Sequence, residues 1–200
     1  MTSIPFESVA IKENNEPLVD LNKYPFILEP VYFKQGFADS DKMLLRLSVA
    51  EKLLTIQKKL KRYRFKIWDG YRPRRVQKNI YDKYVVELKD QTETFITSAD
   101  NPARVPPHAT GGAADLTLVD EVGAELNMGT KFDHFGPEAA AFYFDGKNDI
   151  VSENRKILRE ALIVEDFRYD ADEWWHFDYG NQLWALELKK SYAIYGEINQ

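Results

Sequence analysis

The chain has no cysteine among its 200 residues. That absence excludes a disulfide scaffold and any thiolate metal site, and it fits a reducing compartment. Long apolar runs are missing too: none approaches the ~18 residues a membrane span needs, so no membrane partner is expected. The opening MTSIPFESVAIKENNEPLVDL has neither the basic start nor the apolar centre of a signal peptide, and a cytoplasmic location is expected. Positive charge is not in excess. The formal net charge is −5, which gives no electrostatic footprint for nucleic acid. No repeat, low-complexity tract or linker rich in Gly, Ser or Pro divides the sequence, and only three histidines occur in it.

What is present suffices for one core. With 44% hydrophobic and 14% aromatic residues, a single domain spanning 1–200 is expected. The first forty residues read as irregular, with turn residues at Asn22, Pro25 and Pro30. Asp39 or Ser40 is placed to cap a helix running to about Arg62, because Met43, Leu47, Ala50 and Leu54 recur at helical spacing. RFKIWDGYRP reads as a strand ending before Pro73, and Val76, Ile80, Tyr84 and Leu88 predict a helix from Arg74 to Asp90. Gln91 to Pro107 reads as a long loop. AADLTLVD is strand-like, Gly123 sits in a turn, Glu138–Phe144 and Ser152 to about Glu165 are predicted helices, and EWWHFDY is the last clear strand. Elements alternating in this irregular way fit an α+β fold with a small antiparallel sheet flanked by helices.

Two stretches carry chemistry. In PPHATGGAADLTL (Pro106–Leu118), Ala113, Asp115 and Thr117 share one face of the strand, and a carboxylate there is costly unless bonded, paired or metal-bound. Gly111 and Gly112 let the chain turn so that His108 returns beside Asp115. In DEWWHFDYG (Asp172–Gly180), Trp174, His176 and Asp178 share a face. Together His108, Asp115 and His176 make a set of two nitrogens and one oxygen, which leaves a tetrahedral position open. Glu173 would point away from His176 in a regular strand, so for both to serve one site it must lie on the turn entering the strand. A carboxylate there that is not a ligand suits proton transfer during hydrolysis. Each piece also has a plainer reading: a satisfied core histidine, a capping aspartate, a tryptophan pair in the core. From the residues alone, both readings stay open.

The arrangement resembles the zinc D-alanyl-D-alanine dipeptidases of the vancomycin-resistance type, within the wider hedgehog/DD-peptidase fold. The shared pattern HxxGxAxD followed by ExxH falls on His108, Gly111, Ala113 and Asp115, then Glu173 and His176. DGYRP (Asp69–Pro73) and NMGTKFD (Asn127–Asp133) are two further blocks in the same order, and the resemblance covers about Leu18 to Gly180. It implies that His108, Asp115 and His176 bind Zn2+, that Glu173 is the general base and acid, and that Arg72 stabilises the oxyanion. It also makes Asp133 the candidate partner for the ammonium of a small dipeptide substrate, with His134 a non-ligand beside it. One departure stands out: Pro106 occupies a position often held by serine that helps hold the substrate carboxylate, a role for which Ser98, Thr110 or a backbone amide could substitute. The implied activity is hydrolysis of D-Ala-D-Ala or a related dipeptide. The rivals are a D,D- or L,D-carboxypeptidase or endopeptidase of the same fold acting on longer peptidoglycan peptides, a non-haem iron oxygenase using the same triad, and a non-catalytic zinc-binding module.

Overall fold

The computed structural model describes residues 5–88 and 104–198. In chain order its elements are β1 (Leu18–Asp20), β2 (Ile27–Leu28), the single helical turn α1 (Val31–Lys34), β3 (Leu44–Arg46), α2 (Leu47–Lys59), β4 (Arg64–Asp69), α3 (Arg74–Leu88), β5 (Ala113–Val119), α4 (Asp149–Ile163), β6 (Arg168–Tyr169), β7 (His176–Asp178) and α5 (Gln182–Glu187). The expected loop from Gln91 lies outside the described residues as far as position 103, as do the last two residues expected of α3.

Five strands form the main sheet in the order β2-β4-β5-β7-β6, and β1 pairs with β3 in a second, two-stranded sheet. The α+β expectation holds. The sheet is antiparallel except at its edge, where β2 runs parallel to β4. All seven residues of β5 are buried, so both faces of the central strand are covered. Alternation sends Ala114, Leu116 and Leu118 to the face shared with Phe65 and Ile67 of β4, where they join Val49, Leu53 and Ile56 of α2 and Leu158 and Leu162 of α4 in one core. Truncating a fully buried leucine such as Leu116 or Leu118 costs about 2–5 kcal/mol. The opposite face of β5 carries Asp115.

Three expectations shift. The first long helix begins at Leu47 rather than near Ser40, because Leu44–Arg46 pairs antiparallel with Leu18–Asp20 and Arg46 N donates to the Gly111 carbonyl at 2.9 Å. Helical spacing of Met43 and Leu47 is therefore a by-product of two different elements meeting one core. Glu138–Phe144 is not a helix: a short 3-10 turn at Pro137–Ala139 gives way to further turns. There the buried Arg155 takes the carbonyls of Glu138 (2.9 Å) and Ala140 (2.7 Å) that a helix would have used internally. Finally, the last strand is confined to His176–Asp178. Trp174 and Trp175 form the turn before it, with Trp174 N bonded to the Ala139 carbonyl at 2.9 Å.

Candidate metal centre

Register places Asp69, Asp115 and His176 opposite one another on β4, β5 and β7, in a row crossing the middle of the sheet. His108 joins them from the 3-10 turn Pro107–Thr110, which Gly111 closes at φ +70°. A side chain at Gly111 would be strained by that left-handed backbone, and a Cβ at Gly112 would collide with the Tyr179 carbonyl oxygen. The two glycines thus return His108 over Asp115. His108 Nε2 lies 3.3 Å from Asp115 Oδ2 and 3.2 Å from His176 Nδ1, which is 3.0 Å from Asp115 Oδ1. All three residues are buried.

The outward nitrogens decide what this cluster holds. His108 Nδ1 lies 2.7 Å from the Gly70 carbonyl oxygen, an acceptor, so that nitrogen carries a hydrogen and donates it. His176 Nε2 likewise donates to Asp178 Oδ1 at 3.1 Å. In neutral imidazoles this turns two bare lone pairs towards each other across 3.2 Å, beside a carboxylate. Three acceptors meeting in a buried space fit a cation at their centre. Ligands ~2.0–2.2 Å from a tetrahedral ion stand about 3.4 Å apart, close to the spacing here. Asp178 is itself fixed by Arg168 (2.7 Å) and Asn181 (2.5 Å), so the partner that orients the His176 ring is held in its turn.

Electrostatics agree with a site for positive charge. Burial alone would lower the basicity of His176, but Asp178 and Asp115 raise it well above the ordinary imidazole value. Burial would raise Asp115, yet the two histidines hold its carboxyl well below the usual carboxylate range. The cluster is thus organised to bind a cation or, without one, protons.

Around it lies a cavity of about 290 Å³ bordered by Arg72, Asp133, His134, Glu173 and Trp175. Glu173 precedes the Trp174–Trp175 turn, off the strand. Its carboxyl makes no hydrogen bond among the described residues, and burial together with Asp115 pushes it up to about 8. Arg72 donates from Nε to Asp69 (2.8 Å) and from Nη1 to Gln77 (2.8 Å), leaving Nη2 3.7 Å from Asp115 Oδ2. Its guanidinium also lies over the Tyr32 ring, 4.6 Å from the centroid. Asp133 adopts a left-handed backbone at φ +56° and accepts from the Tyr32 hydroxyl at 3.0 Å. Burial and the Asp115 charge push its carboxyl up to about 7. His134 turns to Glu138 at 3.2 Å and lies apart from the cluster.

Of the groups considered for the substrate carboxylate, Ser98 lies outside the described residues. Thr110 is taken: its hydroxyl donates to the Pro107 carbonyl (2.6 Å) and accepts from Gly112 N (3.0 Å). Sequence reasoning assigned no role to Asp178, Tyr32 or Arg168. Asp178 had a signal, since it shares the strand face of His176 two residues on. Tyr32 had none, for it reaches the site from α1, far along the chain, and Arg168 stands opposite Asp178 only once β6 pairs with β7.

Among the described residues no helix is long and apolar enough to cross a membrane. A family model described as D-ala-D-ala dipeptidase, peptidase family M15, matches residues 25–195. A D-alanyl-D-alanine dipeptidase of Synechocystis sp. is 26% identical over 97% of this chain and 96% of its own length. One from Escherichia coli K12 is 32% identical over 56% of this chain, a match spanning 53% of that relative. The fold is also similar to a solved LD-carboxypeptidase, LdcB, at TM-score 0.50 and 21% identity, covering 90% of this chain and 76% of the other.

Proposed function

This chain belongs to the D-ala-D-ala dipeptidase family of metallopeptidases, and from that premise we propose that it is a zinc enzyme hydrolysing D-alanyl-D-alanine or a closely related dipeptide. The observation that carries the metal is the pair of imidazole lone pairs facing each other beside Asp115, each fixed by a donor bond on the far side of its ring. His108, Asp115 and His176 would hold zinc, which when bound supplies a Lewis acid that polarises the scissile carbonyl and lowers the pKa of a water to ~7. The nitrogen and oxygen donor set suits zinc, and the lack of thiolates leaves the ligation entirely to these side chains.

The protein's own groups then divide the work. Glu173 takes the proton of the attacking water and delivers it to the leaving amine nitrogen. A carboxyl free of hydrogen bonds among the described residues, with its pKa raised to about 8, is suited to both transfers. Arg72 holds the developing oxyanion: Asp69 and Gln77 fix its guanidinium, so its charge is in place before reaction and needs no reorganisation. Asp133, braced by Tyr32, pairs with the substrate ammonium. At about 290 Å³ the cavity stands at the small end of the ~300–1,000 Å³ common for small-molecule sites, which favours a short substrate. A single functional unit over the whole chain, acting on a cytoplasmic dipeptide pool, completes the proposal.

The test is a panel of D,D-, L,D- and L,L-dipeptides offered to zinc-loaded protein. Release of free alanine from D-Ala-D-Ala is the expected result. Cleavage confined to longer peptides ending in D-Ala-D-Ala would transfer the assignment to a carboxypeptidase, and no cleavage by fully loaded protein would refute hydrolysis.

A further inference from the structure

Arg72, Arg104 and Arg168 all border the cavity, and no lysine does among the described residues. Two of these arginines are committed. Arg72 serves Asp69 and Gln77, while Arg168 is paired with Asp170 (2.9 Å), Asp178 (2.7 Å) and Glu187 (2.7 Å). Arg104 differs. Among the described residues no carboxylate lies within 4.0 Å of its guanidinium, and its Nε is buried without a hydrogen-bond partner. Its contact is with an aromatic face, the Phe6 ring, 5.0 Å from the centroid.

The backbone at Arg104 is nevertheless anchored. Its carbonyl accepts from Arg74 Nη2 at 3.0 Å, and Arg74 is held in turn by Glu197 at 2.7 Å. Pro106 and Pro107 follow, with fixed φ and no N–H to offer an anion. The Thr110 hydroxyl is engaged within its own turn. The rest of the wall includes Asp115, Asp133, Asp170, Asp172 and Glu173, a field that repels a second carboxylate. A zwitterionic dipeptide must bring one. Among the described residues of this wall, the Arg104 guanidinium has donors left to receive it, in the two-pronged geometry that arginine offers to carboxylates.

We infer that Arg104 binds the carboxylate of the substrate's C-terminal residue, an assignment that rests on the dipeptidase reading and deepens it. The site then selects a free carboxylate at the leaving end and discriminates against amides and chains extended beyond it.

Steady-state kinetics on D-Ala-D-Ala and D-alanyl-D-alaninamide test this with wild type, Arg104→Gln and Arg104→Lys, each checked for metal content and melting temperature. Arg104→Gln is expected to raise KM for the free acid about 10- to 100-fold, with a much smaller change for the amide. Arg104→Lys should recover part of the loss. An unchanged KM for the acid, or equal losses on both substrates as expected if Arg104 serves only to seat Phe6, would overturn the inference. If wild type cleaves neither substrate, the dipeptidase reading fails while Arg104 is still decided by titrating tryptophan fluorescence with D-alanine and D-alaninamide. Tighter binding of the acid by wild type, erased in Arg104→Gln, supports the assignment, and no preference in wild type refutes it.

Discussion

Two networks of charge, one partly exposed and one buried, meet at the turn carrying His108, and they are built on opposite principles. On one side Arg46 donates to the Thr110 carbonyl (2.9 Å), the Glu16 carbonyl (2.6 Å) and Glu13 (3.1 Å), while Glu16 accepts from Ser48 and Tyr195. Burial of Glu16 is outweighed by those hydrogen bonds, and its carboxyl is held below the ordinary value. On the other side, His108 and His176 turn lone pairs towards each other, Glu173 has no hydrogen bond to its carboxyl among the described residues, and Glu173 and Asp133 are both pushed up. A saturated network fixes chain segments and does nothing else. An unsatisfied one, kept folded by its neighbours, is poised for something it does not contain, and perturbed carboxyls gathered in a cleft mark a working site.

The contrast breaks most sharply at the ligands. His176→Ala removes one of the three proposed ligands, so the variant should lose its zinc and at least ~10⁴-fold in kcat/KM, whereas Glu16→Gln should change neither. Elemental analysis beside turnover of D-Ala-D-Ala checks both. Next comes the amine end. Acetylation would strand Asp133 against an apolar group, and sites built for a polar group reject analogues lacking it by ~10⁴-fold. N-acetyl-D-Ala-D-Ala should therefore be nearly inert, and Asp133→Ala should raise KM for the free dipeptide and narrow the gap. Equal kcat/KM for the free and acetylated forms would hand the assignment to a carboxypeptidase.

The smallest effect is on stability, and the two networks give it opposite signs. Glu16 has a folded pKa below its unfolded value of ~4.3, so its contribution is present above that pH and lost as pH falls through the folded value. Glu173 is raised to about 8 in the metal-free chain. Between ~4.3 and 8 the folded state therefore binds more protons than the unfolded one, and stability falls as pH rises across that window. Melting curves of metal-free protein should show the neutral-side decline shrink in Glu173→Gln and the acid-side loss shrink in Glu16→Gln.

Much of the site was legible in the sequence because its geometry is local or strand-periodic. His108, Gly111 and Asp115 lie on one turn and strand, and the need for Glu173 to leave the strand follows from alternation alone. Less legible were groups whose meaning depends on what folds against them. Arg104 became informative only once the other described arginines of the cavity, Arg72 and Arg168, were seen to be paired, and Tyr32 only once α1 was seen beside Asp133. The missed helix start and the absent helix at Glu138–Phe144 share a cause. Partners from afar claim the backbone, β1 and the Gly111 carbonyl at Leu44–Arg46 and the buried Arg155 side chain at Glu138 and Ala140, and spacing within one segment does not register them.

The most direct measurement separates holding the metal from using it. Glu173→Gln keeps the size and shape of the side chain but accepts no proton. Zinc content and turnover of D-Ala-D-Ala should be determined on the same preparation of this variant. The expected result is one zinc per chain, as in wild type, with kcat lowered ~10²–10⁴-fold. A variant that keeps its zinc and more than half of wild-type turnover would contradict the role of Glu173 as the base, and with it the division between ligands and proton carrier on which the mechanism stands.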